Sequence, residues 1–134
     1  APLSRVDWPA ANELCAKAGK RLCTEEEWER ACAGSERRAY PFGAQYAAGW
    51  CVSGVEEGPA PAGSKPSCIT PEGAVDLSGN VAEWTSSPVR QGSPQMVVRG
   101  GHWAQIEAQV SCMSRDYFMP GLGGAKHIGF RCCL

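Results

Sequence analysis

The 134-residue chain is 43% apolar and 20% charged, ordinary values for one folded domain with one modest core. A formal net charge of −1 and a pI near 6.2 leave no electrostatic footprint for nucleic acid or for an anionic membrane surface. No apolar run approaches the roughly 20 residues that cross a bilayer, so no membrane span is expected.

Asp7 is placed to cap a helix whose second position is Pro9, tolerated there because first-turn N–H groups lack helical partners. Ala11, Leu14, Cys15 and Ala18 recur at helical spacing as its inward stripe, and Gly19 supplies a left-handed stop. Thr24-Glu25-Glu26-Glu27 is a capping box that opens a second helix, which is expected to bury Trp28, Ala31 and Cys32 and to end at Gly34. The carboxylates of Glu25, Glu26, Glu27 and Glu29 read as charge favoured by the dipole at a helix start, in preference to catalytic acids. Arg37-Arg38, the only dense basic stretch, reads as a solvated loop. Beyond Gly34, glycine and proline punctuate almost every segment. Tyr40-Pro41-Phe42-Gly43 reads as a turn with aromatic anchors, and residues 53–74 as a Gly/Pro/Ser-rich excursion that begins within the Cys51–Cys68 bracket. Short strands are predicted at residues 81–85, 96–99, 110–115 and 129–132, giving an α+β fold of two helices plus short irregular strands. No internal repeat or domain boundary is visible, so residues 1–134 read as a single domain.

Eight cysteines without a Cys-x-x-Cys pair argue for disulfides over zinc, because structural zinc draws its ligands from closely spaced pairs. His102 and His127 stand at no ligand-like spacing. Disulfides persist outside the reducing cytosol, so a secreted, periplasmic or cell-surface location is expected. The chain opens Ala-Pro-Leu, as a processed mature form or a segment of something longer would.

Four ordered groups of motifs carry a family resemblance. They are Val6-Asp7-Trp8-Pro9-Ala10-Ala11 with Ala18-Gly19-Lys20-Arg21-Leu22-Cys23-Thr24-Glu25-Glu26-Glu27-Trp28-Glu29; Tyr40-Pro41-Phe42-Gly43; Asp76-Leu77-Ser78-Gly79-Asn80-Val81-Ala82-Glu83-Trp84-Thr85; and Val98-Arg99-Gly100-Gly101-His102-Trp103 closing at Ile128-Gly129-Phe130-Arg131-Cys132. Together they resemble the formylglycine-generating enzyme, or sulfatase-modifying factor, family. The resemblance implies a C-type lectin-like fold of that enzyme type. It implies disulfides Cys15–Cys132 and Cys32–Cys112. With those set, Cys51–Cys68 would close the Gly/Pro-rich loop, which leaves Cys23 with Cys133.

Family members that oxidise a sulfatase cysteine bind copper(I) on two cysteines shortly after Arg-Gly-Gly, as soft sulfur suits that ion. Here residues 102–110 contain no cysteine, so neither copper nor catalytic residues are expected. A nonheme-iron branch of the family keeps its histidines mostly in another domain, and His102 and His127 alone do not complete a three-histidine site; iron is not expected either. Ser114 and Asp116 with the histidines show no triad spacing. The resemblance implies one calcium, with carboxylate oxygens from Asp76 and Glu83 and carbonyls from Gly79 and Val81, the hard ligands that ion prefers. The alternative is that Asp76 caps a turn and Glu83 pairs with an arginine. A second family calcium site lacks its residues around Cys51-Val52 and is not expected.

The leading functional expectation is a catalytically silent, extracytoplasmic recognition or scaffold domain, its partner a protein or glycan at or outside the cell surface. Its contact surface is placed between residues 102 and 125, with His102, Trp103, Gln105, Tyr117, Phe118 and Met119 as anchors. Trp103 and Phe118 fit a core role as well. The rivals are a sulfatase-modifying oxidase, part of a nonheme-iron enzyme, a hypervariable ligand-binding protein, and a structural subunit of a surface assembly.

Overall fold

The structure, a computed structural model, describes residues 2–121 and 126–134. Helix α1 (Trp8–Lys17) starts where the Asp7 carboxylate accepts the Ala10 N–H, and Gly19 leaves it at φ 73°. Helix α2 (Glu25–Ala33) opens on the full Thr24/Glu27 capping box. Strand β1 (Arg21–Leu22) lies between the helices, followed by β2 (Ala82–Pro88), β3 (Met96–Arg99), β4 (Arg115–Phe118), β5 (Ile128–Phe130) and β6 (Cys132–Cys133). The main sheet runs β4-β3-β2-β5, with β2 parallel to β5 and the other pairs antiparallel; β1 pairs with β6.

Several local expectations change. Residues 110–115 do not form a strand: Glu107–Val110 is a 3-10 turn, and pairing with β3 begins only at Arg115. The last strand divides into β5 and β6, which serve different sheets. On α1 only Ala11 and Cys15 are buried, while Leu14 and Ala18 face outward. On α2, Ala33 is buried in place of Ala31. Arg38 is not a solvated loop residue. It is buried against the C-terminus of α2, where its guanidinium donates to the Cys32 carbonyl and meets Glu36 and Glu72. The negative end of a helix dipole favours a cation there.

Two core clusters sit on the sheet and α2. Ala11, Cys15, Leu22, Trp84, Val98 and Ile128 join α1 to the main sheet, and Trp28, Cys32, Leu77 and Cys112 pack behind α2. Each of these tryptophans also satisfies its N–H: Trp84 donates to the Val6 carbonyl and Trp28 to Glu83. Arg99 is the buried charge between them, 2% exposed. It donates to Glu29 at 2.8 Å, Glu25 at 3.1 Å and the carbonyls of Ser114 and Cys112, and lies over the Trp28 ring.

All eight cysteines are bridged, as Cys15–Cys132, Cys23–Cys133, Cys32–Cys112 and Cys51–Cys68. Adjacent Cys132 and Cys133 thus tie the C-terminal strand to α1 and to the turn before α2. In the chain-entropy account, closing the 17-residue span is worth about 3 kcal/mol, and closing the 117-residue span about 5. Replacing both Cys51 and Cys68 with serine is accordingly expected to lower unfolding free energy by about 3 kcal/mol in urea titrations. It should also open residues 53–67 to limited proteolysis while α1 and α2 stay protected.

Candidate functional site

After β3 the chain turns through Gly100 and Gly101 at φ 98° and 67°. A Cβ at Gly101 would stand 2.4 Å from the Gln109 carbonyl oxygen, so only glycine lets the 102–110 segment fold back this closely. That segment pins itself by side-chain acceptors. Gln105 Oε1 accepts the His102 N–H at 3.0 Å, Gln109 Oε1 accepts the Ile106 N–H at 3.3 Å, and His102 Nδ1 accepts the Ala104 N–H at 3.3 Å.

The fold-back walls a cavity of ≈ 250 Å3. Ala82 and Val98 give it apolar surface, His102, Gln105 and Gln109 form one side, and Asp116, Phe118 and His127 also line it. The two imidazole rings, 25 residues apart in the chain (127 − 102), stand 5.0 Å apart between centroids, with Phe118 edge-on to His127 at 6.1 Å. Burial pushes the His102 pKa down and His127 adds to the shift, while Asp116 opposes it. Burial likewise lowers His127 against the pull of Asp116.

The expected surface therefore divides. His102, Gln105 and Phe118 line the cavity. Trp103 is core, 7% exposed, packed with Val52 and Val81. Tyr117 and Met119 are 45% and 53% exposed and lie outside the lining. Alternation along β4 explains the split, since Asp116 and Phe118 share one face and Tyr117 takes the other. Residues 122–125 of the expected contact surface lie outside the described residues. Sequence reasoning missed Gln109, Asp116 and His127 as cavity residues. The strand parity of 116 and 118 was a usable signal for Asp116, but nothing local points from His102 to His127. Ser114 also lines this cavity, yet no hydrogen bond joins it to either histidine among the described residues.

The Asp76–Glu83 loop adjoins this segment, the Gly79 N–H donating to the Gly100 carbonyl at 2.8 Å and the Trp103 N–H to the Asn80 carbonyl at 3.0 Å. Asp76 Oδ2 accepts the Gly63 N–H at 2.7 Å. Gly79, at φ 72°, passes so close to Val52 that a Cβ would be 2.2 Å from its carbonyl oxygen. Asn80 is buried and clasps Ala60 through both ends of its amide, at 2.9 and 3.1 Å. Glu83 Oε1 accepts from Trp28 Nε1 at 2.7 Å and Arg131 Nε at 2.8 Å. Burial disfavours the Arg131 charge, and Glu83 and Asp76 more than offset that. Asp76, Val81, Glu83 and Arg131 share a second cavity of ≈ 250 Å3. Among the described residues no three His, Cys, Asp or Glu side chains converge as a metal set. A calcium ion here would need carbonyls beside Asp76 and Glu83. The donor chemistry fits, because the bonds to Glu83 fall on Oε1 and that to Asp76 on Oδ2, leaving one oxygen of each carboxylate.

The sequence matches the sulfatase-modifying factor enzyme 1-like domain family over residues 1–134. Hercynine oxygenase of Mycobacterium tuberculosis is 36% identical over an alignment covering 89% of this chain and 33% of that protein. Inactive C-alpha-formylglycine-generating enzyme 2 of Bos taurus is 32% identical, with 98% of this chain and 49% of that protein covered. The chain thus spans between a third and a half of these relatives. PvdO from Pseudomonas aeruginosa shares the fold at TM-score 0.82 and 22% identity, covering 98% of this chain and 60% of that one.

The cavity histidines set a pH dependence. A histidine whose folded pKa lies below its unfolded value of about 6.5 binds fewer protons folded than unfolded as pH drops. Its contribution to stability is full above about pH 6.5 and is lost as pH falls toward the folded pKa. Urea midpoints followed from about pH 7.5 to about pH 5 should fall, and a His102→Gln/His127→Gln variant should show a shallower slope. An unchanged slope would refute this account.

Proposed function

The chain belongs to the sulfatase-modifying factor (formylglycine-generating enzyme) family, and within it we propose a catalytically silent, extracytoplasmic binding domain that takes its ligand in the His102/His127 cavity. One observation carries the reading: every cysteine is spent in a disulfide, so no thiolate pair remains to hold copper(I) or to perform cysteine redox chemistry. A nonheme-iron role would need ligands from outside this chain, whose histidines number two. Four disulfides support an oxidising compartment, and no described helix is long and apolar enough to cross a membrane.

Alkylation of the denatured, unreduced chain is expected to add no label. Incubation with copper(I) and a cysteine-containing sulfatase peptide should leave the peptide mass unchanged. Conversion of that cysteine to formylglycine would overturn the silent reading.

Calcium belongs to the same proposal, held by Asp76 and Glu83 with the carbonyls of Gly79 and Val81, and it would supply structural rigidity rather than chemistry. The competing cation is Arg131, already seated on Glu83. Calcium at 100 times its Kd should stabilise the domain by about 2.7 kcal/mol, and Asp76→Asn should remove that response while leaving the Glu83–Arg131 pair in place. Equal melting temperatures in calcium and in EDTA would leave Arg131 as the cation of this loop and sink the calcium reading.

A further inference from the structure

The hydrogen bonds that pin the 102–110 segment also decide what its side chains present to the cavity. An amide whose oxygen is taken by a backbone N–H has its NH2 left to offer, and a neutral imidazole that accepts at Nδ1 carries its proton on Nε2. Gln105, Gln109 and His102 are all in this condition. One side of the cavity is therefore rich in neutral donors. Such a side matches a carboxylate better than an amine, since it has little acceptor capacity to give.

A second observation comes from β4. Asp116 and Phe118 line the same cavity, adding a carboxylate and an aromatic ring. Arg115 lines it as well, but its guanidinium is spent on Glu25 and on the Val89 carbonyl. Among the described residues, the lining thus has no uncommitted arginine or lysine to balance Asp116. A plain anion would be repelled by Asp116 without compensation, and a plain cation would leave the donors idle. A ligand with both charges satisfies both sides.

Size narrows the class. At the ~30 Å3 share of a liquid water, ≈ 250 Å3 holds about eight waters, which suits a small molecule and not a stretch of polymer. From these observations we infer that the cavity binds a small zwitterion of the α-amino-acid type. Its carboxylate faces Gln105, Gln109 and His102, its ammonium faces Asp116 and the ring of Phe118, and its side chain lies on Ala82 and Val98. The inference rests on the reading of this cavity as the ligand site.

The test is isothermal titration of the intact, disulfide-bonded protein at pH 7.5 with the twenty α-amino acids. Phenylalanine is run beside its two charge-cut analogues, phenethylamine and 3-phenylpropanoate. At least one amino acid should bind, with either analogue weaker by about tenfold or more, the worth of a hydrogen bond to a charged group. Asp116→Asn should erase the advantage over 3-phenylpropanoate. Gln105→Glu keeps the oxygen that holds the His102 N–H and replaces the NH2 with an acceptor, so it should abolish binding at an unchanged melting temperature. Equal binding of 3-phenylpropanoate and phenylalanine would overturn the zwitterion assignment, though the cavity would remain a ligand site. Binding of no amino acid, or full affinity in Gln105→Glu, would overturn it as well. Turnover of a bound amino acid would leave the ligand class standing and overturn the catalytically silent reading.

Discussion

The buried guanidinium of Arg99 is the constraint on which the rest of this domain depends. A charge 2% exposed is tolerated only if nearly every donor finds a partner, and Arg99 collects its partners from elements far apart in sequence. Glu25 and Glu29 come from the first turns of α2, the carbonyls of Cys112 and Ser114 from the bend before β4, and the Trp28 ring lies against it. Satisfying one side chain therefore docks α2 on β3 and sets the approach of β4 to the sheet. The same bend carries Cys112, whose bridge to Cys32 holds it against α2 covalently.

From there the cavity follows by geometry. Gly100 and Gly101 turn the chain directly after Arg99, and the start of β4 is fixed by the Arg99 contacts. The segment between these two points has to fold back on itself, and it does so with its own side-chain acceptors. The wall of the cavity is thus a consequence of how a loop satisfies its backbone N–H groups. Its chemistry, rich in donors, comes from the same bookkeeping. After Arg99-Gly100-Gly101 this chain places a histidine, His102, and two glutamines, Gln105 and Gln109.

The Glu83 side of the core shows a second economy. Glu83 sits on β2, accepts from Trp28 on α2 and pairs with Arg131 between β5 and β6. That ties the helix to both sheets through one carboxylate oxygen. The Asp76 loop and the Asn80 clasp then organise the long 51–75 excursion, which has little regular structure of its own and is closed by Cys51–Cys68.

Local devices were legible in the chain because they act over three or four residues. Asp7 and the Thr24/Glu27 box begin their helices as read, and Gly19 and Gly34 end them, since capping is backbone chemistry within a single turn. Cys15–Cys132 and Cys32–Cys112 were legible through the family motifs, Cys51–Cys68 as a loop closure and Cys23–Cys133 only as the remainder, and four closed bridges stand in those pairings. Burial was less so. Composition near Arg37-Arg38 suggested solvent, yet Arg38 is drawn inward by a helix end, and Trp103 among glycines turned out to be core. Whether Asp76 and Glu83 face a metal or an arginine depends on where Arg131 arrives, about fifty residues later in the chain (131 − 83 = 48). The sequence alone determined which segments cap, turn and cross-link, because those choices are settled by neighbouring atoms. Only the tertiary structure decided that His102 meets His127 and that Arg99 is buried, because contacts between distant residues exist only once the whole chain has closed around them.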